Sequence, residues 1–142
     1  MAPSKRFKPI QKITSQRERK AAAALGESLQ QRKSAQQRLD ELRAYHAEYL
    51  ERFAHATSNG LSSSQILEYQ VFIGKLETAI SQQEGIVIQS QQDCDSSKAQ
   101  WRGRYTKSKA VQNAVERMRE TERKGKERTE QSESDERAQR KR

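Results

Sequence analysis

Residues 45–83 read YHAEYLERFAHATSNGLSSSQILEYQVFIGKLETAISQQ, and this stretch decides the fold. One helix ends inside it and another begins. Thr57-Ser58-Asn59-Gly60 is the break, because Asn and Gly tolerate the left-handed backbone that closes a helix. Ser62 stands where an N-cap is needed, with Gln65 three positions on to complete a capping box. Leu61 and Ile66 hold the two positions of a hydrophobic staple. These signals agree on one bend, so the chain is expected to be all-α, two long helices in an antiparallel coiled-coil hairpin.

Periodicity on either side of the bend supports this. Before it, Leu39, Leu42, His46, Tyr49, Phe53 and Ala56 alternate at spacings of three and four, the heptad pattern of a supercoiled seam. Upstream, the same register meets Ala35, Arg32, Ser28, Leu25 and Ala21, smaller and more polar. After the bend, Ile66, Tyr69, Ile73, Leu76, Ile80, Gln83, Val87, Ser90, Cys94, Ser97, Trp101, Arg104, Ser108, Val111, Val115 and Met118 keep the alternation without a slip. The expected boundaries are a frayed N-terminus over 1–9, where Pro9 disfavours helix at its predecessor, helix over 10–57, turn over 58–62 and helix over 63–120. The remainder, 121–142, has no apolar stripe and reads as a charged, partly disordered tail.

Composition narrows the class. Of 142 residues 32% are hydrophobic and 33% charged, whereas a globular domain carries about 45–50% apolar residues; a single helix–helix seam needs fewer. Both prolines, Pro3 and Pro9, lie at the start, leaving the rest of the chain without its strongest helix breaker. A lone cysteine, Cys94, excludes an internal disulfide and suits a reducing compartment. No apolar run is long enough to span a membrane, and the basic N-terminus lacks the apolar segment of a signal peptide.

The net charge of +9 is unevenly spread. Residues 1–20 and 98–119 are strongly basic, and 21–97 are acidic on balance. A bend near Gly60 brings the two basic stretches to one end, a local patch given screening over about 8 Å.

Residues with catalytic or ligating potential are sparse. His46 and His55 have no Cys or further His near them to complete the three or four ligands of a metal site. His46 is read as a polar seam residue. Cys94, between Ser90 and Ser97 in the seam, is read as a small buried residue rather than a nucleophile. No phosphate loop, paired-histidine zinc motif or serine elbow occurs, and a lone seam offers no pocket in which to desolvate a reaction. No enzyme activity, cofactor, metal or small-molecule ligand is expected. Trp101 reads as a large seam residue near the basic end.

A surface pattern stands beside the seam. Arg38, Leu42, Tyr45 and Tyr49 on the first helix repeat the spacing of Phe72, Leu76, Ala79 and Gln83 on the second. In an antiparallel pair with this turn, Arg38–Gln83, Leu42–Ala79, Tyr45–Leu76 and Tyr49–Phe72 share one index sum and so lie level, as four rungs. Leu42, Tyr49 and Leu76 can serve the seam, while Tyr45, Phe72 and Ala79 flank it. The rungs either widen the seam or form a docking face for a protein.

The same residues resemble the bacterial flagellar export protein FliJ. Tyr45, Glu48 and Tyr49, the Asn59-Gly60 turn, and Tyr69, Gln70, Phe72, Ile73, Leu76, Glu77, Ala79 and Ile80 fit that family's pattern, with Trp101 further on. The resemblance implies a coiled coil similar to the stalk subunit of rotary ATPases and to YscO-type injectisome proteins. It further implies a component of the flagellar type III export apparatus, needed for motility, cytoplasmic and peripherally associated with the inner face of the membrane at the flagellar base. Its implied partners are the export ATPase, the cytoplasmic domain of the membrane export gate and export chaperones. The family's gate-docking positions correspond to Leu42, Tyr45, Tyr49, Phe72, Leu76 and Ala79; Arg38 and Gln83 share that face but replace the family's usual Gln and His. The ATPase-facing part corresponds by region to the basic end, with Lys98, Arg102, Arg104, Lys107 and Lys109. On this reading the protein is a strut linking ATPase ring and gate. The alternatives are a basic coiled coil that binds nucleic acid, which would show a steep salt dependence, and a generic scaffold; without an interleaved aromatic platform, nucleic acid is not the expected partner.

Overall fold

The computed structural model describes residues 2–141 and contains helices α1 (Pro3–Arg6), α2 (Lys8–Ser58) and α3 (Ser63–Arg140), with no strand among the described residues. The chain divides into two units. The turn unit is Ala23–Lys98, and the terminal unit combines Met1–Ala22 with Ala99–Arg142. In the turn unit α2 and α3 form the expected antiparallel hairpin.

The bend is built from the residues that announced it. The amides of Asn59 and Gly60 donate back to the carbonyls of Ala56 and Thr57, each at 3.2 Å, and Gly60 takes φ +88°, a conformation that side-chain-bearing residues rarely adopt. The Gln65 amide donates to Ser62 Oγ at 3.2 Å, and the Ser62 amide donates to Gln65 Oε1 at 3.0 Å. This reciprocal pair satisfies donors that the start of a helix leaves unpaired.

The turn unit buries the predicted seam. Ala35, Leu39 and Val87 form its core with Ile80 packed against them, and Ile73, Leu76 and Cys94 are also buried. Gln83 is 5% exposed and donates from Nε2 to the Ala35 carbonyl at 3.0 Å, so a polar side chain sits in the seam with its amide engaged. Ser28 and Ser97 share a hydroxyl hydrogen bond at 2.9 Å. Arg32, placed in the seam by the heptad register, is exposed instead, because a guanidinium with no partner is too costly to desolvate.

In the terminal unit Val115 is 1% exposed, Ser108 is buried, and Trp101, Val111 and Met118 are half-buried. The Trp101 indole donates to Glu18 at 2.9 Å. Arg104 turns outward for the same reason as Arg32; every other α3 seam position from Ile66 to Met118 is buried or half-buried.

Both ends depart from expectation. The first residues are helical rather than frayed. Pro3 occupies the first helical turn, where a missing N–H costs nothing. Ser4 is buried and donates to Glu122 from both its amide, at 2.9 Å, and its hydroxyl, at 2.7 Å. Pro9 sits near the start of α2, where it is tolerated for the same reason as Pro3. At the other end α3 continues to Arg140 instead of giving way to a disordered tail. Every described residue after Glu122 is exposed, so this helix rests on local interactions. Arg123 pairs with Glu120 and Glu127, and Arg137 with Glu133, at the three- and four-residue spacings that support a solvated helix.

Gly85 lies within α3 on an exposed face, and an added Cβ there would meet no atom within 4 Å. Gly85→Ala is therefore expected to stabilise the protein by about 0.5–1 kcal/mol through backbone entropy alone. Thermal denaturation followed at 222 nm should show a higher midpoint; a lower one would mean that the glycine has a packing role.

Candidate functional site

The two sides of the turn-unit seam differ in chemistry. In heptad terms, with Leu39, His46, Ile73 and Ile80 at a and Leu42, Tyr49, Leu76 and Gln83 at d, one side carries the positions just after d, together with His46. Arg43 reaches Glu84 at 3.4 Å, and His46 Nε2 lies 3.2 Å from Glu77. Polar groups on this side bridge the helices. The positions just before a line the opposite side and include Arg38, Tyr45, Phe72, Ala79 and Ile86. There the helices meet through rings and aliphatic carbon.

The rings form one cluster. Tyr49 and Phe72 have centroids 4.4 Å apart, Tyr45 meets Tyr49 edge-on at 5.0 Å, and Tyr45 meets Phe72 edge-on at 6.1 Å. Such pairs add about 0.5–1.5 kcal/mol beyond the area they bury. Arg52 lies 5.3 Å from the centre of the Tyr49 ring and pairs with Glu48 at 2.6 Å. Despite three-way packing Tyr45 remains 43% exposed. The adjacent Tyr49 phenol raises the pKa of the Tyr45 hydroxyl, so Tyr45 stays neutral around pH 7. The result is an aromatic surface whose rings are already positioned.

The predicted rung residues fall into three groups. Leu76 and Gln83 are buried in the seam; Leu42, Tyr49, Phe72 and Ala79 are half-buried at its edge; Tyr45 and Arg38 are exposed. Ile86, which the rung pattern left out, is 53% exposed on the same side. Its position before Val87 in the heptad was the available signal.

Of the basic side chains expected on α3, Arg102, Arg104, Lys107 and Lys109 are exposed in the terminal unit, while Lys98 is half-buried and belongs to the turn unit. Sequence reasoning named none of the cations from the start of the chain. There, an open groove of about 810 Å³ is lined by Lys5, Lys8, Lys12 and Arg19, among others, with Gln112 from α3. The positive charge of residues 1–20 was its only advance sign.

Glu122 secures the N-terminal segment to this unit, and the hydrogen bonds from the Ser4 hydroxyl and then the Ser4 amide hold its carboxyl below the usual carboxylate range. A lowered folded-state pKa means that the contribution is present above the unfolded value of about 4.3 and is lost as pH falls through the folded value. The Ser4 amide resonance is expected to hold steady at neutral pH and shift in that acidic window. Glu122→Gln should abolish the titration; if it persists, another group controls the segment.

Among the described residues no group of His, Cys, Asp and Glu side chains could hold a metal ion, and no helix is long and apolar enough to cross a membrane. Cys94 is 1% exposed.

A sequence comparison with curated proteins found no match. Among solved structures the chain is similar to one described as a YscO homologue from Chlamydia trachomatis, with a TM-score of 0.58 and 17% identity over 94% of this chain and 91% of that one; at that identity the likeness concerns the fold. The family model described as flagellar FliJ protein matches residues 3–141. The chain therefore belongs to the flagellar FliJ family, which places it among the components of flagellar type III protein export.

Proposed function

We propose that the chain is a non-enzymatic strut of the export apparatus, docking through the aromatic side of its turn unit on the cytoplasmic domain of the membrane export gate. The basic side chains of α3 face the export ATPase, and the protein also assists export chaperones at the membrane base. One observation carries the docking assignment: Tyr45, Tyr49 and Phe72 pack on one another while Tyr45 stays 43% exposed. Aromatic side chains held in place before binding lose little rotamer entropy when a partner covers them, and residues of this type dominate interface energetics. The seam does not require Tyr45 on its flank. Covering this cluster would complete the burial that the second helix leaves unfinished.

The test is capture of the gate's cytoplasmic domain and of the export ATPase by the full-length chain carrying Tyr45→Ala or Phe72→Ala. Loss of about 2 kcal/mol, roughly 30-fold in affinity, is expected for the gate with ATPase capture retained. Charge reversal at Arg102 and Arg104 should instead weaken the ATPase contact in a salt-dependent manner. Unchanged gate capture by both aromatic variants would refute the assignment, and retention of the wild-type chain on nucleic acid with a steep salt slope would favour a different partner class.

A further inference from the structure

The terminal unit has two unlike flanks. On one, the groove lined by Lys5, Lys8, Lys12 and Arg19 runs along α2 beside Gln112. On the other, a second open groove of about 410 Å³ places Pro3 of α1 beside Ala114, Arg117 and Thr121 of α3. The helical period carries this second flank along the chain. Phe7, between α1 and α2, keeps a right-handed helical backbone at φ −84° and ψ −8°, so the repeat runs through it, and Ile10 follows Pro3 after two turns. Arg6, Ile10, Ile13, Arg17 and Lys20 recur here at spacings of four and three, and all of them are exposed. They make a stripe about 21 Å long at 1.5 Å per residue.

Two properties of the stripe are left unanswered within the chain. Ile10 is 44% exposed and Ile13 47%, outside the seam in which Thr14 and Val115 are buried. Arg6, Arg17 and Lys20 have no acidic partner among the described residues. On α3 the same period adds Lys107 and Arg117, with Ala110 and Ala114, and no Asp or Glu. The acids of this part of the unit are held elsewhere. Glu18 accepts from the Trp101 indole, Glu120 pairs with Arg123, and Glu122 holds Ser4. Glu116 lies with Glu120 on the outward side of α3, where Arg117 marks the boundary. Lys107 is among the cations assigned above to the ATPase; by the same period Arg102 and Lys109 stand off this flank.

We infer that this flank of the terminal unit lies on an anionic phospholipid surface, with Ile10 and Ile13 entering the headgroup region and Arg6, Arg17, Lys20 and Lys107 set against lipid phosphates. Charge complementarity selects the partner. Exposed apolar side chains flanked by cations, with no acid among them, are the composition of a helix that rests in a membrane interface, and each Lys or Arg close to an anionic leaflet adds to the attraction. The isoleucines decide against nucleic acid, whose phosphates would pair with the cations and leave both apolar side chains in water. The contact is additional to the gate and ATPase contacts and does not depend on either.

The experiment is flotation of the full-length chain, at two salt concentrations, with vesicles of phosphatidylcholine alone or of phosphatidylcholine with an equal part of phosphatidylglycerol. Binding is expected only to the vesicles that contain phosphatidylglycerol, and it should fall as salt rises. Arg17→Gln combined with Lys20→Gln should weaken it about thirtyfold. Lys8→Gln combined with Lys12→Gln, the same charge change on the opposite flank, should weaken it less than about threefold. Ile10→Ser combined with Ile13→Ser should weaken it about tenfold and leave its salt dependence unchanged. All the substituted residues are exposed, so the variants should remain folded, which circular dichroism checks. The inference is overturned if the wild type floats with neither kind of vesicle or with both alike, if the two charge variants lose equal affinity, or if the isoleucine variant binds like the wild type. Tighter retention on a DNA duplex than on the vesicles, indifferent to the isoleucines, would overturn it in favour of nucleic acid. Neither the gate nor the ATPase is present in this assay, so each of these results leaves the readings of those two contacts where they stand.

Discussion

Leu39→Ala is expected to destabilise the turn unit by about 2.5 kcal/mol. Leu39 is 3% exposed and packs with Ala35, Val87 and Ile80. Truncation removes buried methyl groups and leaves a cavity, and such changes cost about 2–5 kcal/mol in globular cores. A seam between two helices is open to water on both sides, so neighbouring side chains can partly collapse into the gap; this argues for the lower half of the range. For a chain of this length the loss corresponds to a fall of roughly 5–10 °C in the unfolding midpoint. Urea denaturation followed at 222 nm measures it directly, with Leu42→Ala as the internal comparison. Leu42 is half-buried and should cost markedly less. Equal costs at the two sites would mean that Leu39 does not hold the centre of the seam.

The comparison of Leu39 with Leu42 also shows what could be read before the structure. Heptad spacing identified both as seam positions, and the bend was legible because its determinants, from Asn59 to Gln65, are local: one glycine conformation and one reciprocal cap. Spacing alone does not say how deeply a position is buried. Leu42 stays at the edge and Leu76 goes inside, although both were assigned to the same face. Nor does periodicity say where a polar side chain sends its hydrogen bond. Gln83, which stood both in the heptad seam and among the rungs, is buried in the seam, and spacing gave no sign that it donates to the Ala35 carbonyl.

Contacts between distant parts of the sequence were less legible still. Ser4 and Glu122 are 118 positions apart, and neither belongs to a periodic pattern, so nothing offset the reading of Pro9 as a residue that leaves the N-terminal segment frayed. The segment after Glu120 failed for another reason. Charged, apolar-poor composition suits a solvated helix as well as a disordered tail, and the Arg–Glu pairs along it were the features that favoured helix. Ile86 was missed because the four-rung pattern stopped at Gln83, whereas the side of the seam that carries it continues.

Val115→Asp is expected to have the largest effect on the terminal unit. Val115 is 1% exposed, and the described structure offers no cation that is buried with it. A carboxylate there must be desolvated without a partner or take up a proton, and either course costs several kcal/mol, a large share of a typical domain's stability of about 5–15 kcal/mol. The turn unit has its own cap, core and aromatic cluster. Hydrogen exchange should therefore accelerate by more than a hundredfold at seam amides such as Val111 and Met118, while those of Ile73 and Leu76 stay protected. Capture of the gate domain should survive and capture of the ATPase should fail, because the two proposed surfaces lie in different units. A uniform rise in exchange along both helices would instead show that the units unfold as one cooperative block, and gate binding would then be lost along with the terminal seam.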